Sequence, residues 1–223
     1  MIATATSLFE GIEAALDSLP DGSKVELNRV SWKEYDQLLN DVYEARYFKL
    51  YYDEGRLVAM TISFEHESIK TLFSHLISIL AEELDLPLKG AGSASLKTER
   101  KKKGADPDDS YYIENVDKIR GLKIINLATD PPPDLIIEVD ITSSSINKFS
   151  IYAAMGIPEF WRYEEAEMHF YKLAGEEYSE ITYSSHFPFV PAAVITEFLA
   201  LGINQDIPTM NKAFRKWVQT NKT

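Results

Sequence analysis

The apolar residues of the central segment follow two periods. Between Glu65 and Leu84, the residues Ile69, Leu72, Phe73, Leu76, Ile77, Leu80 and Leu84 recur at spacings of three and four. That spacing predicts a helix with one buried stripe, ended by Pro87. From Asp134 to Ile141 the period is two. Side chains alternate along a strand, so Leu135, Ile137, Val139 and Ile141 share one face while Asp134, Ile136, Glu138 and Asp140 share the other. One side of this strand is wholly apolar, and the other carries three carboxylates.

Shorter elements surround these two. A helix is expected over Val30 to Val42, opened by Ser31, then a hairpin of Tyr47 to Tyr52 and Arg56 to Ser63 around the turn Asp53-Glu-Gly55. Strands follow at Ala94 to Lys97 and Ser110 to Glu114, with a long connection to Pro131-Pro-Pro133. Ser143 to Ser145 offer N-caps for a helix through Tyr152 to Met155, which Gly156 is placed to end. Pro158 to Tyr163 and Met168 to Leu173 read as paired strands, and Val194 to Leu201 and Met210 to Val218 as closing helices. No internal period is present. The order predicts an α/β (α+β) protein forming one compact unit, with residues 1–45 an N-terminal extension containing a helix and 46–223 the main domain.

Composition narrows the function. With 45% hydrophobic and 26% charged residues in 223, the chain has the balance of a folded protein with a sizeable core. It has no apolar run of the roughly 18 residues a span needs, and its start lacks a basic flank, so a cytoplasmic protein without a membrane is expected. The absence of cysteine excludes disulfides and thiolate metal sites. A net charge of −12 argues against an extended nucleic-acid surface, since phosphates are neutralised by clustered Lys and Arg. Any such contact must be local. The concentrated basic stretch is Lys97-Thr-Glu-Arg100-Lys101-Lys102-Lys103; a run of this length usually only solvates a loop, but this one immediately precedes an acidic turn.

That turn, Ala105-Asp-Pro-Asp108, and the strand Asp134 to Ile141 carry the candidate chemistry. Hydrolysis of a phosphodiester needs a hard cation that polarises the phosphoryl oxygen and acidifies a bound water, and Mg²⁺ takes carboxylate oxygens. A nearby lysine stabilises the extra charge of the transition state. Each residue also has a plainer role: Asp108 as a turn former, Glu138 as part of an exposed or internally paired sheet face, and Glu67 as a first-turn complement to the helix dipole. His66 and His75 are nine residues apart, out of phase for a zinc pair on a helix. Gly90-Ala-Gly92 lacks the lysine of a phosphate loop, and no Gly-x-Ser-x-Gly elbow occurs. The aromatics Tyr152, Phe160, Trp161 and Tyr163 are expected to pack in the core.

The run Pro133-Asp134-Leu-Ile-Ile-Glu138-Val, then Thr142-Ser143, then Asn147-Lys148-Phe-Ser-Ile-Tyr152-Ala-Ala-Met-Gly156-Ile-Pro158-Glu159-Phe-Trp161-Arg-Tyr163, resembles the Uma family of putative restriction endonucleases, abundant in cyanobacteria and part of the PD-(D/E)XK superfamily. His66-Glu67 opening a helix and Pro107-Asp108 before a strand belong to the same likeness, which spans roughly Ser63 to Tyr163. It implies a restriction-endonuclease-like core with a mixed central sheet flanked by helices. It also implies Mg²⁺ or Mn²⁺ held by Glu67, Asp108 and Glu138, with Lys148 as the catalytic lysine. The superfamily's Glu-x-Lys is not intact, because Asp140 stands two residues after Glu138. Two classes therefore stay open: a metal-dependent endodeoxyribonuclease, and a catalytically degenerate nuclease fold used in binding or assembly. DNA and a second copy of the chain, as a homodimer, are the expected partners, with Arg100, Lys101, Lys102 and Lys103 as the nucleic-acid-binding candidates.

Overall fold

Residues 8–41, 48–141 and 146–222 are described by the computed structural model. In chain order they form α1 (Leu8–Asp17), β1 (Lys24–Asn28), α2 (Trp32–Asp41), β2 (Phe48–Asp53), β3 (Arg56–Thr61), α3 (Phe64–Glu83), β4 (Lys89–Gly90), β5 (Leu96–Thr98), β6 (Lys103–Ala105) and β7 (Asp109–Tyr112). A 3-10 turn at Val116–Ile119 precedes β8 (Leu135–Asp140), α4 (Lys148–Met155), β9 (Glu159–Glu164), β10 (Glu167–Ala174), β11 (Glu177–Ile181), α5 (Ala192–Asn204) and α6 (Ile207–Asn221).

The period-two segment becomes β8, a central strand of the six-stranded sheet β11-β10-β9-β8-β7-β4. Its two faces enter different cores, as the alternation requires. Leu135, Ile137 and Val139 pack with Leu72, Leu76 and Phe214 from α3 and α6, whereas Ile136 packs with Ile151 and Tyr152 of α4. Ile141 departs from the expected face: it lies just past the strand and is exposed. Strand β8 pairs antiparallel with β7 and parallel with β9, so the sheet is mixed and α4 is the crossover helix that a parallel pair needs.

The second sheet has the order β1-β3-β2-β6-β5. Here too alternation divides the layers: Tyr51 and Val58 face the α4 side, while Leu50, Tyr52 and Leu57 join Ile12, Tyr35 and Leu38 from α1 and α2. The expected N-terminal extension thus supplies the edge strand β1, paired with β3 from Lys24↔Met60 to Asn28↔Arg56. Strand β6 was not expected, because its sequence continues the basic run. Its Gly104 is required by packing: a Cβ there would overlap the Tyr35 hydroxyl.

Local signals fix the ends of the two helices nearest the acidic strand. Ser63 caps α3 by accepting from His66 N at 3.2 Å. For α4 the cap is Asn147, which accepts from Ser150 N at 3.2 Å; the expected capping serines, Ser143 to Ser145, lie outside the described residues. Gly156 ends α4 with φ 75°, the left-handed value that favours glycine.

Candidate active site

Asp108 leaves the turn before β7 and is 1% exposed; Glu138, in the middle of β8, is 0% exposed. The β7–β8 pairing, with Asp109 opposite Ile137, brings these two carboxylates to the same end of the sheet. Asp108 Oδ2 accepts from Val139 N at 2.5 Å, which ties the turn to β8 directly. Burying charges this deeply is costly unless they are paired, and both are. Lys49 of β2 contacts Asp108 Oδ1 and donates to Pro107 O at 3.2 Å. Lys148 donates to Glu138 Oε2 at 2.9 Å and to Asp140 Oδ1 at 2.6 Å, and its ammonium sits 4.8 Å from the centre of the Tyr51 ring. Glu138 also accepts from the Tyr51 hydroxyl, 3.1 Å from Oε2, and from the Tyr152 hydroxyl on Oε1.

These environments set the protonation states. Burial disfavours the Lys148 ammonium, but Glu138, Tyr51 and Asp140 outweigh it and hold the group above its ordinary range. Burial also opposes the Asp140 carboxylate, yet Lys148 and Arg162 hold it below the ordinary range; Arg162 Nε donates to it at 2.7 Å. Burial, reinforced by the Glu138 charge, raises both tyrosines well above their usual value, so each hydroxyl remains a donor to Glu138. Lys49 is pushed down to about 8 by burial, with Glu138 opposing and Lys148 adding to the fall.

The N-terminus of α3 closes the site. His66 is buried, and its Nε2 lies 2.9 Å from Asp108 Oδ1 without the alignment of a hydrogen bond, so the atom has no hydrogen-bond partner among the described residues. We take the contact as a short approach rather than an ion pair, because burial and then the Lys49 charge push His66 down to about 4, leaving a neutral ring at pH 7. Its Nδ1 is 3.3 Å from Glu67 Oε1. Glu67 itself is 44% exposed and also accepts from Lys70 at 3.4 Å. A cavity of about 190 Å³ opens beside these groups, lined by Lys49, His66, Val139 and Asp140 together with Ser63 and Glu65.

Of the four site residues expected from the sequence, Asp108, Glu138 and Lys148 are buried, Asp108 against Lys49 and Glu138 against Lys148, and Glu67 is more exposed, behind His66. Among the described residues no three Asp, Glu or His side chains are gathered closely enough to share an ion. The donors nonetheless suit a divalent cation in kind, being two buried carboxylates and an imidazole nitrogen without a hydrogen-bond partner among the described residues, and a cationic group already rests on Asp108. Asp134 has a structural role: its carboxylate accepts from the backbone N of Ile113, Glu114 and Asn115 at 2.7, 2.9 and 3.0 Å.

The basic run forms the β5–β6 hairpin. Lys97 pairs with Asp36 at 2.5 Å, Lys101 with Glu176 at 3.6 Å and Lys102 with Glu99 at 3.9 Å, while Arg100 is exposed in the turn. Lys103 is buried against Asp53 and Ser150 and is not presented at the surface. Lys103 meets the Asp53 end of β2 and Asp108 the Lys49 end, four residues away or about 13 Å along a strand.

Sequence reasoning missed Lys49, His66, Tyr51 and the hydroxyl of Tyr152. One signal was available: in Phe48-Lys-Leu-Tyr-Tyr52 a lone lysine alternates with Tyr51 on one face of an otherwise apolar strand. Tyr152 packs in the core as expected, but its polar end belongs to the site.

Comparison with known proteins places these features in a family context. The model of the Uma2 family, described as putative restriction endonuclease, matches residues 32–205. A crystal structure of a putative nuclease belonging to DUF820 from Anabaena variabilis superposes with a TM-score of 0.49 at 16% identity, covering 83% of this chain and 99% of that one. No curated protein matches the chain.

Proposed function

The chain belongs to the Uma2 family of putative restriction endonucleases, and on that premise we propose that it is a Mg²⁺- or Mn²⁺-dependent endodeoxyribonuclease acting at the Asp108–Glu138 site. The observation that carries this reading is the pair of buried carboxylates, Asp108 in the turn before β7 and Glu138 on the adjoining β8, behind a cavity that Lys49, His66 and Asp140 line. Asp108 and Glu138 would hold the ion, with α3 adding a further group, for which the family pattern offers Glu67. Bound there, the ion polarises the scissile phosphoryl group and acidifies the attacking water. The chain's own groups do the rest. Tyr51, Tyr152 and Lys148 fix both oxygens of Glu138, and Arg162 with Lys148 fixes Asp140. Lys49 faces the cavity, where an ammonium stabilises charge that develops on the phosphate. Hydrolysis leaves a 5′-phosphate and a 3′-hydroxyl. Arg100, Lys101 and Lys102 are the candidates for contacts with the DNA backbone.

A second reading has its own support. Lys49 on Asp108, and Lys148 between Glu138 and Asp140, balance the buried charges without an ion, as suits a nuclease fold retained for binding or assembly. Supercoiled plasmid and single-stranded DNA incubated with Mn²⁺, Mg²⁺ or chelator separate the two. Cleavage that needs the metal and stops with chelator supports the enzyme; intact DNA with both ions supports the non-catalytic protein.

A further inference from the structure

Helix α3 brings two neighbouring side chains to the site, and the family pattern selects Glu67. The geometry favours its neighbour. His66 is buried, and its Nε2 has no hydrogen-bond partner among the described residues although Asp108 Oδ1 is only 2.9 Å away. Two ligand atoms at right angles on an octahedral ion with bonds of about 2.1 Å stand about 3.0 Å apart. The separation therefore fits two donors converging on a third point, which the missing hydrogen-bond alignment also suggests.

The other ring nitrogen agrees. His66 Nδ1 is 3.3 Å from Glu67 Oε1, so the proton belongs on Nδ1 and the lone pair on Nε2. That lone pair then faces a carboxylate oxygen, a contact that a cation relieves, and the Lys49 ammonium already sits on the same Oδ1. A metal-bound histidine usually donates its second N–H to a carboxylate, and Glu67, His66 and Asp108 stand in that order. Glu67 is 44% exposed and does not line the cavity, whereas His66 and Lys49 do.

We infer that His66, through Nε2, is the α3 ligand of the divalent ion beside Asp108, and that Glu67 orients its ring from behind. This rests on the metal-dependent reading above. It also gives the site one nitrogen donor, which moves its preference away from Mg²⁺, a cation of oxygen ligands, toward transition ions such as Mn²⁺. Lys49 has to leave Asp108 Oδ1 for the ion to bind, and the adjoining cavity gives its side chain room.

The test is pulsed electron paramagnetic resonance of Mn²⁺ added to the full chain after chelator treatment. The parent should show nitrogen-14 modulation from an imidazole. His66→Gln should lose that modulation and bind Mn²⁺ more weakly; His66→Asn serves the same purpose should the glutamine variant fail to fold. Glu67→Gln should keep the modulation while losing on the order of 10- to 100-fold in affinity, the usual effect of removing an orienting partner. Bound Mn²⁺ without nitrogen modulation in the parent, or modulation that survives loss of His66, overturns the assignment and leaves metal dependence standing. Failure of the parent to bind Mn²⁺ overturns both.

Discussion

Replacing Lys148 with Met tests whether the site network is a set of mutually dependent charges. The ammonium is 4% exposed and donates to two carboxylates, Glu138 at 2.9 Å and Asp140 at 2.6 Å, whose side chains are 0% and 4% exposed. Methionine has a similar stem, so packing is largely retained and the change is mainly one of charge. Glu138 would keep its two tyrosine donors and Asp140 would keep Arg162, but neither tyrosine supplies a charge. Removing one partner of a buried pair costs about 3–5 kcal/mol, about a fifth or more of a stability that for whole domains is about 5–15 kcal/mol. Urea unfolding followed by tryptophan fluorescence at pH 7.5 measures it. Proton uptake by the orphaned carboxylate relieves part of the penalty, so the loss should be smaller at pH 5 than at pH 8. Adding Glu138→Gln should recover about 2 kcal/mol, because an amide oxygen in the Oε1 place still accepts from Tyr152, with the Tyr51 hydroxyl 3.4 Å away, without leaving an unpaired charge. A loss below about 1 kcal/mol for the single variant, or strictly additive costs in the double, would refute the coupling.

Two further outcomes follow from neighbouring groups. His66 is pushed down to about 4 from 6.5, chiefly by burial; the native state then binds fewer protons than the unfolded chain between those values. The associated stability, about 3 kcal/mol at most, is complete above pH 6.5 and lost as pH falls toward 4. In chelator, His66→Asn should flatten that part of the curve, and an unchanged slope contradicts the burial argument. The second concerns DNA. Because Lys101 and Lys102 face acidic partners, replacing Arg100, Lys101 and Lys102 by Ser should lower the log–log salt slope of DNA binding by less than the full ~2.7 that three free cations would give. A loss of the full value would mean that the ion pairs open to phosphate, and no change would remove the hairpin from the interface.

Much of the frame was legible because single-period patterns survive folding. The stripe of α3, the alternation of β8 and the αL position of Gly156 follow from local geometry, and all three recur in the fold. The short strands were not. β6 is three residues long and opens with the last lysine of a basic run, and only pairing with β2 and β5 makes it a strand. At the candidate site, Asp108, Glu138 and Lys148 were singled out through the family resemblance, since each alone reads as a turn, sheet or helix residue. Lys49 and Tyr51 reach them from the other sheet, across 59 and 87 residues of sequence, a contact that no local period encodes. Charge pairing was equally hidden, since Lys97 to Lys103 reads as a free cluster until Asp36, Asp53 and Glu176 are folded against it.

The most direct measurement is the rate of DNA cleavage in Mn²⁺ by the parent and by Asp108→Asn, purified identically and matched for secondary structure by circular dichroism. Asparagine keeps the size of the turn residue and removes the charge that would hold the ion. An ion worth about 4 kcal/mol in the transition state corresponds to roughly a thousandfold in rate. The expected result is cleavage by the parent that chelator abolishes, and a loss of that order in the variant. Equal cleavage by both proteins, or none by the parent in either Mn²⁺ or Mg²⁺, would contradict a nuclease centre at Asp108.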